Sequence, residues 1–327
     1  MAEDAKAKTL RVLSMFVRML HGSTICKKEE AENFCVNEKT IQRDIEDLRA
    51  YLSDEYQGGS RSEIIYSHKQ AGYILSENES ACFKGEEILT IVKILLESRS
   101  LCKKEMEQIL KKLVFRAMPQ EKQMIEKLVG NERFHYAPVS HGQNLLARIW
   151  ELSVALKEKR RTKITYKKEK QQDSISRVIE PQGIIFSEYY FYLVACIAGA
   201  DFDYPAVYRI DRIQAIEILA EQFDCSYCNR FEEGEFRKRV QFMKSGKILK
   251  LLFRYTGTSI SAVLDRLPTA TVVKKESAGY LVEAEVYGDG IKMWLLGQAE
   301  YVEVLEPEWF RNEIRETVVK MAAQYEH

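Results

Sequence analysis

The chain has 327 residues, more than one ordinary hydrophobic core accommodates, so roughly two to four domains are expected. Its composition, 30% charged and 46% hydrophobic, is that of a globular rather than a disordered protein. The 49 basic and 49 acidic residues cancel, which excludes a global basic field, so any binding of a polyanion has to be local.

The first residues and the cysteines indicate the compartment. The opening MAEDAKAKTLR lacks the apolar stretch of a secretion signal, and the longest apolar runs are too short to span a membrane. Seven cysteines, an odd number, are scattered through the chain, as is usual in a reducing cytoplasm. We therefore expect a cytoplasmic protein that does not contact the membrane.

Residues 6–53 have the pattern of three helices. The first is amphipathic and stops near Gly22, and its apolar residues recur at steps of three and four: Leu10, Leu13, Phe16, Val17 and Leu20. A short second helix over 27–34 turns Ala31 and Phe34 inward. Asn37 is a good N-cap for a third helix. The apolar line of this third helix is Ile41, Ile45, Leu48 and Leu52.

The polar face at the start of the third helix is the candidate DNA-reading surface. Two short helices joined by a tight turn, the second opening with polar side chains, are what helix-turn-helix proteins place in the major groove. Two short strands, 64–67 and 72–75, predict a hairpin suited to lie along the phosphate backbone as a wing. We expect Gln42 and Arg43 to contact bases. The other candidate DNA-binding residues are Lys39, Thr40, Arg49 and Lys69.

The alternative for this region is a packing module without a role in DNA binding. Residues 1–80 hold eleven Lys or Arg and fourteen Asp or Glu, a net charge of −3, which is unusual for a DNA-binding domain. Phosphate contacts then depend on a few well-placed side chains.

Residues 85–130 predict a helical linker with three apolar stripes, interrupted by Pro119 and Gly130. The stripes are Ile88, Ile91, Val92 and Leu95; Leu101, Met106, Ile109, Leu110 and Leu113; and Met124, Ile125 and Leu128. Helices of this kind between two domains form a core or a dimer interface more often than a cofactor pocket. A further helix over 143–157 leads into the next domain.

The densest basic run follows that helix. Residues 157–170, KEKRRTKITYKKEK, hold eight Lys or Arg and two Glu. Ile164 and Tyr166 alternate with polar residues and predict a strand, with Lys163 on its other face. A solvated basic hairpin and an electropositive binding surface are both consistent with this run.

The region from Arg177 to Ile213 predicts the strands of a small β-barrel. Pro181 and Gly183 predict a turn at 180–183, between the strands 177–179 and 184–186. An apolar strand over 189–198 and an alternating one over 207–213 follow, with a bulge or turn near Asp211.

The arginines of these strands have two interpretations. They are solvated or paired with Asp201, Asp203 and Asp211, or they bind a ligand beside the neighbouring tyrosines. Guanidinium forks next to aromatic faces suit a phosphate-bearing or nucleic-acid ligand. The candidate effector-binding residues are Lys163, Arg177, Tyr192, Tyr208, Arg209 and Arg212.

Residues 245–327 predict the order βαββαβ followed by a helix, which is the ferredoxin-like pattern. No arrangement for catalysis is present: the chain lacks a phosphate-binding glycine loop, HExxH and Gly-x-Ser-x-Gly. Cys225-x-x-Cys228 has zinc-like spacing but no second pair of ligands. We expect no catalytic residues, no metal, no cofactor and no enzymatic activity.

Three parts of the chain resemble one family. Arg177-x-x-x-Pro181-x-Gly183, the string 191–195 (FYLVA) and the string 208–213 (YRIDRI) resemble the WYL domain, an Sm-like barrel of bacterial transcription regulators, with Phe191 in place of the name-giving Trp. The segment EEAENFCVNEKTIQRDIEDL resembles the helix-turn-helix of the DeoR-like class. The 294–297 string (WLLG) resembles the WCX extension that follows many WYL domains.

The resemblance implies an α+β multidomain protein. Its domains are a winged helix-turn-helix (1–80), a helical linker or dimerisation region (81–142), a WYL barrel (143–220), a connector (221–244) and a WCX-like ferredoxin-like domain (245–327). The expected function is that of a homodimeric repressor that binds an inverted-repeat DNA operator and responds to a nucleotide or single-stranded nucleic acid at the WYL domain. The alternative is a single-stranded nucleic-acid or nucleotide binding protein without operator binding.

Overall fold

The computed structural model of the chain describes residues 2–20, 22–55, 63–76, 83–169, 173–200, 204–224 and 231–326. The chain forms two compact units. Unit 1 comprises Met1–Glu97 and Lys103–Ala137, and unit 2 comprises Ser98–Cys102 and Pro138–His327.

The first part of unit 1 is three helices followed by a hairpin. They are α1 (Ala2–Leu20), α2 (Lys27–Asn33), α3 (Glu38–Glu55), β1 (Glu63–Ser67) and β2 (Gly72–Ser76). The two strands are antiparallel, and an isolated bridge joins Ile25 to Tyr73 of β2. The predicted apolar line of α3 is buried and forms one core with Met15, Met19 and Ile64. The predicted helices and hairpin are therefore confirmed.

The predicted apolar face of α1 is wrong. Four of its five residues are exposed: Leu10, Leu13, Val17 and Leu20. The helix instead buries Arg11, Met15 and Met19, because Arg11 has a partner on α3 that the periodicity of α1 does not reveal.

Three more helices complete unit 1: α4 (Gly85–Ser98), α5 (Lys103–Phe115) and α6 (Pro119–Phe134). The first two predicted stripes supply buried residues, among them Ile88, Val92 and Met106. In the third stripe only Ile125 is buried, since Met124 and Leu128 are exposed, and Val129 takes their place in the core.

Unit 2 begins with a helix packed on a five-stranded antiparallel sheet. The elements are α7 (Leu146–Lys157), β3 (Arg160–Lys167), β4 (Ser174–Ser187), β5 (Tyr190–Ile197), β6 (Ala206–Arg209) and β7 (Ile213–Gln222). The strand order is β6-β5-β4-β3-β7, and α7 packs on β3 and β4. A 3-10 turn, Ile210–Arg212, joins the two edge strands at the irregularity predicted near Asp211. Closure of this sheet into a barrel stays a prediction.

The predicted turn at 180–183 is wrong, because β4 runs through it without a break. The register against β5 shifts between Pro181 and Gly183, which is a β-bulge. A bulge tolerates proline because one backbone N–H there need not join the ladder. Gly183 leaves room for Glu233: a Cβ at this position would lie 2.4 Å from Oε1 of Glu233, which accepts a hydrogen bond from the backbone N–H of Ile184.

The remaining elements of unit 2 are α8 (Glu233–Arg239), β8 (Ile248–Tyr255), α9 (Ile260–Arg266), β9 (Thr271–Glu276), β10 (Gly279–Tyr287), α10 (Ile291–Gly297), β11 (Val302–Glu306) and α11 (Glu308–Ala322). From β8 to β11 they follow the predicted βαββαβ order. The sheet order is β11-β8-β10-β9 with antiparallel pairs throughout, and its core includes Phe253 and Phe310. None of the described helices combines the length and apolarity that crossing a membrane requires.

Candidate functional site

The start of α3 is held by its N-cap and by its buried stripe. The backbone N–H of Thr40 donates to Oδ1 of Asn37 at 2.8 Å, which satisfies a free N–H at the helix start, and the hydroxyl of Thr40 donates to the same oxygen. Lys39 and Arg43 are exposed, since they lie away from the buried stripe, and neither forms an ion pair with the residues that the structure describes. These two cations are therefore available to a ligand.

Gln42 and Arg49, also predicted to contact DNA, bind the hairpin instead of facing solvent freely. The hydroxyl of Tyr73 donates to Oε1 of Gln42 at 2.9 Å, while Nε2 of Gln42 donates to Glu46. Nε of Arg49 donates to the carbonyl oxygen of Ile64 at 2.8 Å, and its Cζ lies 5.4 Å from the centre of the Tyr73 ring. Tyr73, which sequence reasoning missed, thus connects the hairpin to α3.

At the tip of the hairpin, Lys69 is exposed. The tip is attached to the segment before α2, because the hydroxyl of Thr24 donates to Gln70 at 2.7 Å. The position of Lys69 relative to α3 is thereby fixed within unit 1.

Two ion pairs, each with a buried carboxylate, join the first three helices. Nε of Arg11 on α1 donates to Oδ2 of Asp44 on α3 at 2.5 Å. Arg18 forms a bidentate ion pair with Glu30 of α2, in which Nη1 donates to Oε1 and Nη2 donates to Oε2. The hydrogen bond to Glu30 raises the pKa of Arg18 above its ordinary value. Asp44 belongs to the segment that resembles the DeoR-like helix-turn-helix, so part of that segment serves packing.

Unit 2 contains a basic cavity of about 370 Å³ at the crossing from β6 to β7. Five of its lining residues are cationic: Arg148, Lys167, Lys168, Arg209 and Arg212. Two are acidic, Glu169 and Asp211, so the lining is net positive. We call this cavity the basic pocket. Arg209, Arg212 and the run that contains Lys167 and Lys168 were predicted from the sequence, whereas Arg148 was not.

Arg209 is already engaged in this pocket. It forms two hydrogen bonds with the carboxylate of Asp211, at 3.1 and 2.7 Å, and its Cζ lies 3.4 Å from the centre of the Tyr190 ring. Burial acts to lower the pKa of Arg209, but the hydrogen bond and charge of Asp211 outweigh it, so the pKa lies above its usual range. Arg212 pairs with Glu169 at 2.5 Å, and that carboxylate is largely exposed, so this pair is open to exchange with another anion.

The six predicted effector residues do not share one surface. Tyr192 lies opposite Arg209 in the β5–β6 ladder, whereas Tyr208 lies opposite Leu193, so the two tyrosines are on different faces of the sheet. Arg177 lies on the same face as Tyr208, because its Nη1 donates to the Tyr208 hydroxyl at 3.3 Å. Burial raises the pKa of Tyr192 to about 12, against the opposing charge of Arg209.

Lys163, another of the candidate effector residues, is exposed, and its Nζ lies 3.7 Å from Oε2 of Glu217. Asp201 and Asp203, the other expected partners of the arginines, lie outside the described residues, as does the Cys225-x-x-Cys228 pair.

Two family models match the chain. Residues 149–218 match the WYL domain and residues 248–322 match the WCX domain. The chain therefore contains a WYL domain followed by a WCX domain, and the predicted resemblance of these two regions is confirmed. The WYL match contains strands β3 to β6 and the first part of β7, and the WCX match contains the βαββαβ sheet.

Two solved structures have a distant similarity to the chain. Proteasome accessory factor B/C (PafBC) of Arthrobacter aurescens is 16% identical, with a TM-score of 0.31 over 92% of this chain and 45% of that chain. A CRISPR Cas-related protein is 15% identical, with a TM-score of 0.39 over 89% of this chain and 74% of that chain. The chain thus spans less than half the length of the PafBC structure. No curated protein sequence matches the chain.

Proposed function

We propose that the protein is a transcription regulator that binds double-stranded DNA through unit 1. The observation that carries this proposal is the exposure of Lys39 and Arg43 on a helix whose other side is fixed by the N-cap, the buried stripe and the hairpin. A rigid helix with a free polar start is what major-groove reading requires. We assign the first 80 residues to a winged helix-turn-helix in which β1 and β2 form the wing.

The contacts within unit 1 divide the predicted DNA-binding residues into two groups. Arg43 is the base-reading residue and Lys39 and Lys69 hold phosphates, since all three are exposed. Gln42 and Arg49 position the helix, since their polar atoms are bound to Tyr73, Glu46 and the β1 backbone. Thr40 acts at the N-cap.

The test is selection of binding sequences from a random duplex library with the full chain, followed by titration of the selected site. Arg43→Ala is expected to cost about 1–3 kcal/mol of binding free energy and to relax the sequence preference, whereas Lys69→Ala weakens all duplexes alike. Arg49→Ala lowers the stability of unit 1 instead. Arg315→Ala, an exposed arginine on α11, is the control. Failure to enrich any duplex at low salt refutes the proposal.

We further propose that the protein is a homodimer and a repressor. A dimer reads an inverted repeat with half-sites about 34 Å apart, or a multiple of that spacing. Because residues 1–80 carry a net charge of −3, each unit 1 neutralises few phosphates, and arbitrary duplex is released by modest salt. A reporter gene placed behind the selected site is expected to be less active when the protein is present.

The basic pocket is the proposed effector site, and its ligand is an anionic nucleotide or short single strand. Arg212 and the two lysines bind phosphate, and Arg209 stacked on Tyr190 supplies a guanidinium edge. The ligand changes DNA binding only if its affinity differs between two states of the protein. Arg177 and Tyr208 are reassigned to packing, since they lie on the other face of the sheet.

The Arg209–Asp211 pair also fits a purely structural role, so the test has to preserve the packing. The double variant Arg209→Gln, Asp211→Asn keeps a hydrogen-bonding pair of similar shape and removes the guanidinium. We expect it to fold and to bind the selected DNA but to lose the response to a 5′-phosphorylated thymidine oligonucleotide. An unchanged response assigns these residues to structure.

The second candidate function is single-stranded nucleic-acid binding without operator recognition. It is favoured by one observation: residues 157–170 of unit 2 carry a net charge of +6, from eight basic and two acidic residues, whereas residues 1–80 carry −3. The duplex selection separates the two functions, because a single-strand binder enriches no duplex sequence.

A further inference from the structure

A second cavity of unit 2, of about 280 Å³, lies where the WYL domain meets the WCX domain. One wall is the end of β4 and the turn after it, 185–188; another is formed by Arg237 of α8 and the segment 240–243; the third is the end of α9 with Pro268. We call it the junction pocket. It shares no lining residue with the basic pocket.

One nitrogen of a guanidinium in the junction pocket lacks an acceptor. Nε of Arg266 is buried and has no hydrogen-bond partner among the described residues. Its Nη2 lies 3.7 Å from Oε1 of Glu188, which is beyond hydrogen-bond distance, and its Cζ lies 5.2 Å from the centre of the Phe242 ring. An unsatisfied buried donor costs free energy, so this donor set fits an incoming carboxylate or phosphate oxygen.

A second cation lines the same cavity. Arg237 is exposed and forms no ion pair with any residue in the part of the chain that the structure describes. The one acidic lining residue, Glu188, is exposed and held only by the loose contact with Arg266, so its carboxylate moves into solvent without loss of a hydrogen bond. The polar end of the pocket is therefore cationic.

The rest of the lining is apolar and predicts the body of the ligand. Ile185, Val240 and Met243 are buried and belong to one core cluster with Phe236. Phe186 and Pro268 complete the apolar wall. The volume is slightly below the roughly 300–1,000 Å³ of sites for drug-sized molecules, so the ligand is small.

The segment that carries Phe242 and Met243 is preformed. Both residues have left-handed backbone angles, with φ of 50° and 52°, which is unfavourable for residues other than glycine. The neighbouring helix start holds the segment in place, since a Cβ at Gly290 would lie 2.1 Å from the carbonyl oxygen of Gln241. Strained backbone of this kind recurs at ligand-binding sites.

We propose that the junction pocket binds a small organic carboxylate with an apolar body. Arg266 and Arg237 bind the carboxylate, and the wall of Ile185, Val240 and Met243 takes the hydrocarbon. Because the lining comes from both domains and the connector, the ligand fastens the WYL domain to the WCX domain. This site is independent of DNA binding and of the basic pocket.

The experiment uses the full chain labelled with ¹³C at the methionine methyl groups. Octanoate is the probe and the uncharged octanamide is its matched control. We expect the Met243 signal, assigned with Met243→Leu, to shift saturably by about 10 mM octanoate, and octanamide to bind at least about tenfold more weakly, the equivalent of one charge-assisted hydrogen bond.

Variants locate the carboxylate. Arg266→Gln is expected to weaken octanoate binding at least about tenfold, and Arg237→Gln to weaken it as well. Arg237 is exposed and forms no ion pair with the described residues, so its variant tests the site even if Arg266→Gln fails to fold. Arg212→Gln, in the basic pocket, and Arg315→Gln, on α11, should bind octanoate like the unchanged protein.

The proposal is overturned by a Met243 signal that does not respond to octanoate, by equal binding of octanoate and octanamide, or by unchanged octanoate binding in the folded Arg237→Gln and Arg266→Gln variants. Loss of octanoate binding in Arg212→Gln alone also overturns it, because the ligand then occupies the basic pocket. None of these results bears on DNA binding by unit 1.

Discussion

Replacing Asp44 by Ala is expected to destabilise unit 1 selectively. The Arg11–Asp44 pair joins α1 to α3, and its side chains are only 8% and 2% exposed. Removal of one partner leaves the other charge buried without compensation, which costs about 3–5 kcal/mol. With a urea dependence of about 2 kcal/mol per molar, the midpoint of unit 1 unfolding should fall by about 2 M.

The three tryptophans allow the two units to be followed separately. Trp150, Trp294 and Trp309 all lie in unit 2, so tryptophan fluorescence reports its unfolding alone. Far-UV circular dichroism reports the helices of both units. In the Asp44→Ala variant, the loss of dichroism that comes from unfolding of unit 1 should occur at lower urea than in the unchanged protein. The fluorescence transition, which reports unit 2, should stay at the same urea concentration.

The matched control is an exposed ion pair, Lys8–Asp47, that joins the same two helices. Lys8 and Asp47 are 2.7 Å apart and both more than half exposed, so Lys8→Ala should leave both transitions unchanged. A dichroism shift as large in Lys8→Ala as in Asp44→Ala would refute the reasoning from burial. So would an Asp44→Ala variant as stable as the unchanged protein.

Two further predictions concern the stability of single sites. Burial raises the pKa of Tyr192 from 10.0 to about 12, so the phenol stays neutral in the folded protein; its contribution to stability is complete below pH 10 and is lost as the pH rises to 12. The free energy of unfolding of Tyr192→Phe should therefore decline less over this window than that of the unchanged protein. Parallel declines would contradict the prediction. Gly290→Ala should destabilise unit 2 by about 1–3 kcal/mol, since the new Cβ meets the Gln241 carbonyl. Its counterpart on α6, Gly130→Ala, has open space around the added methyl and should stabilise the helix by about 0.5–1 kcal/mol; thermal melts that place both variants at the unchanged midpoint would exclude this explanation.

Local patterns predicted the elements well and their faces less well. The βαββαβ order of the C-terminal region follows from periods of two and of 3.6 with Pro268 and Gly279 between elements, and the structure matches it. Helix α1 has apolar residues on two sides. Which side packs is decided by Asp44, 33 residues away, and periodicity alone does not contain that information.

The candidate sites show the same limit. Pro181 and Gly183 have the composition of a turn, but the β5 strand and Glu233 hold them in a bulged strand. Arg209 and Arg212 were predictable from their neighbours along the chain. Arg148 was not, since its contact with the Ile213 carbonyl spans 65 residues. The six candidate effector residues were grouped by their chemistry as cations and aromatic faces, whereas strand alternation divides them between two faces.

The assignment of residues 98–102 to unit 2 determines how the protein can be cut into fragments. The chain passes from unit 1 to unit 2 at Ser98, returns at Lys103 and passes over again at Pro138. The carbonyl oxygen of Ser100 contacts Nε2 of His141 at 3.1 Å, and the backbone N–H of Val139 donates to the carbonyl oxygen of Arg99 at 3.1 Å. A fragment that starts at Pro138 therefore lacks a segment that belongs to its own unit. A fragment that ends at Ala137 carries these five residues of the other unit, so cleavage at a single site does not yield two intact halves.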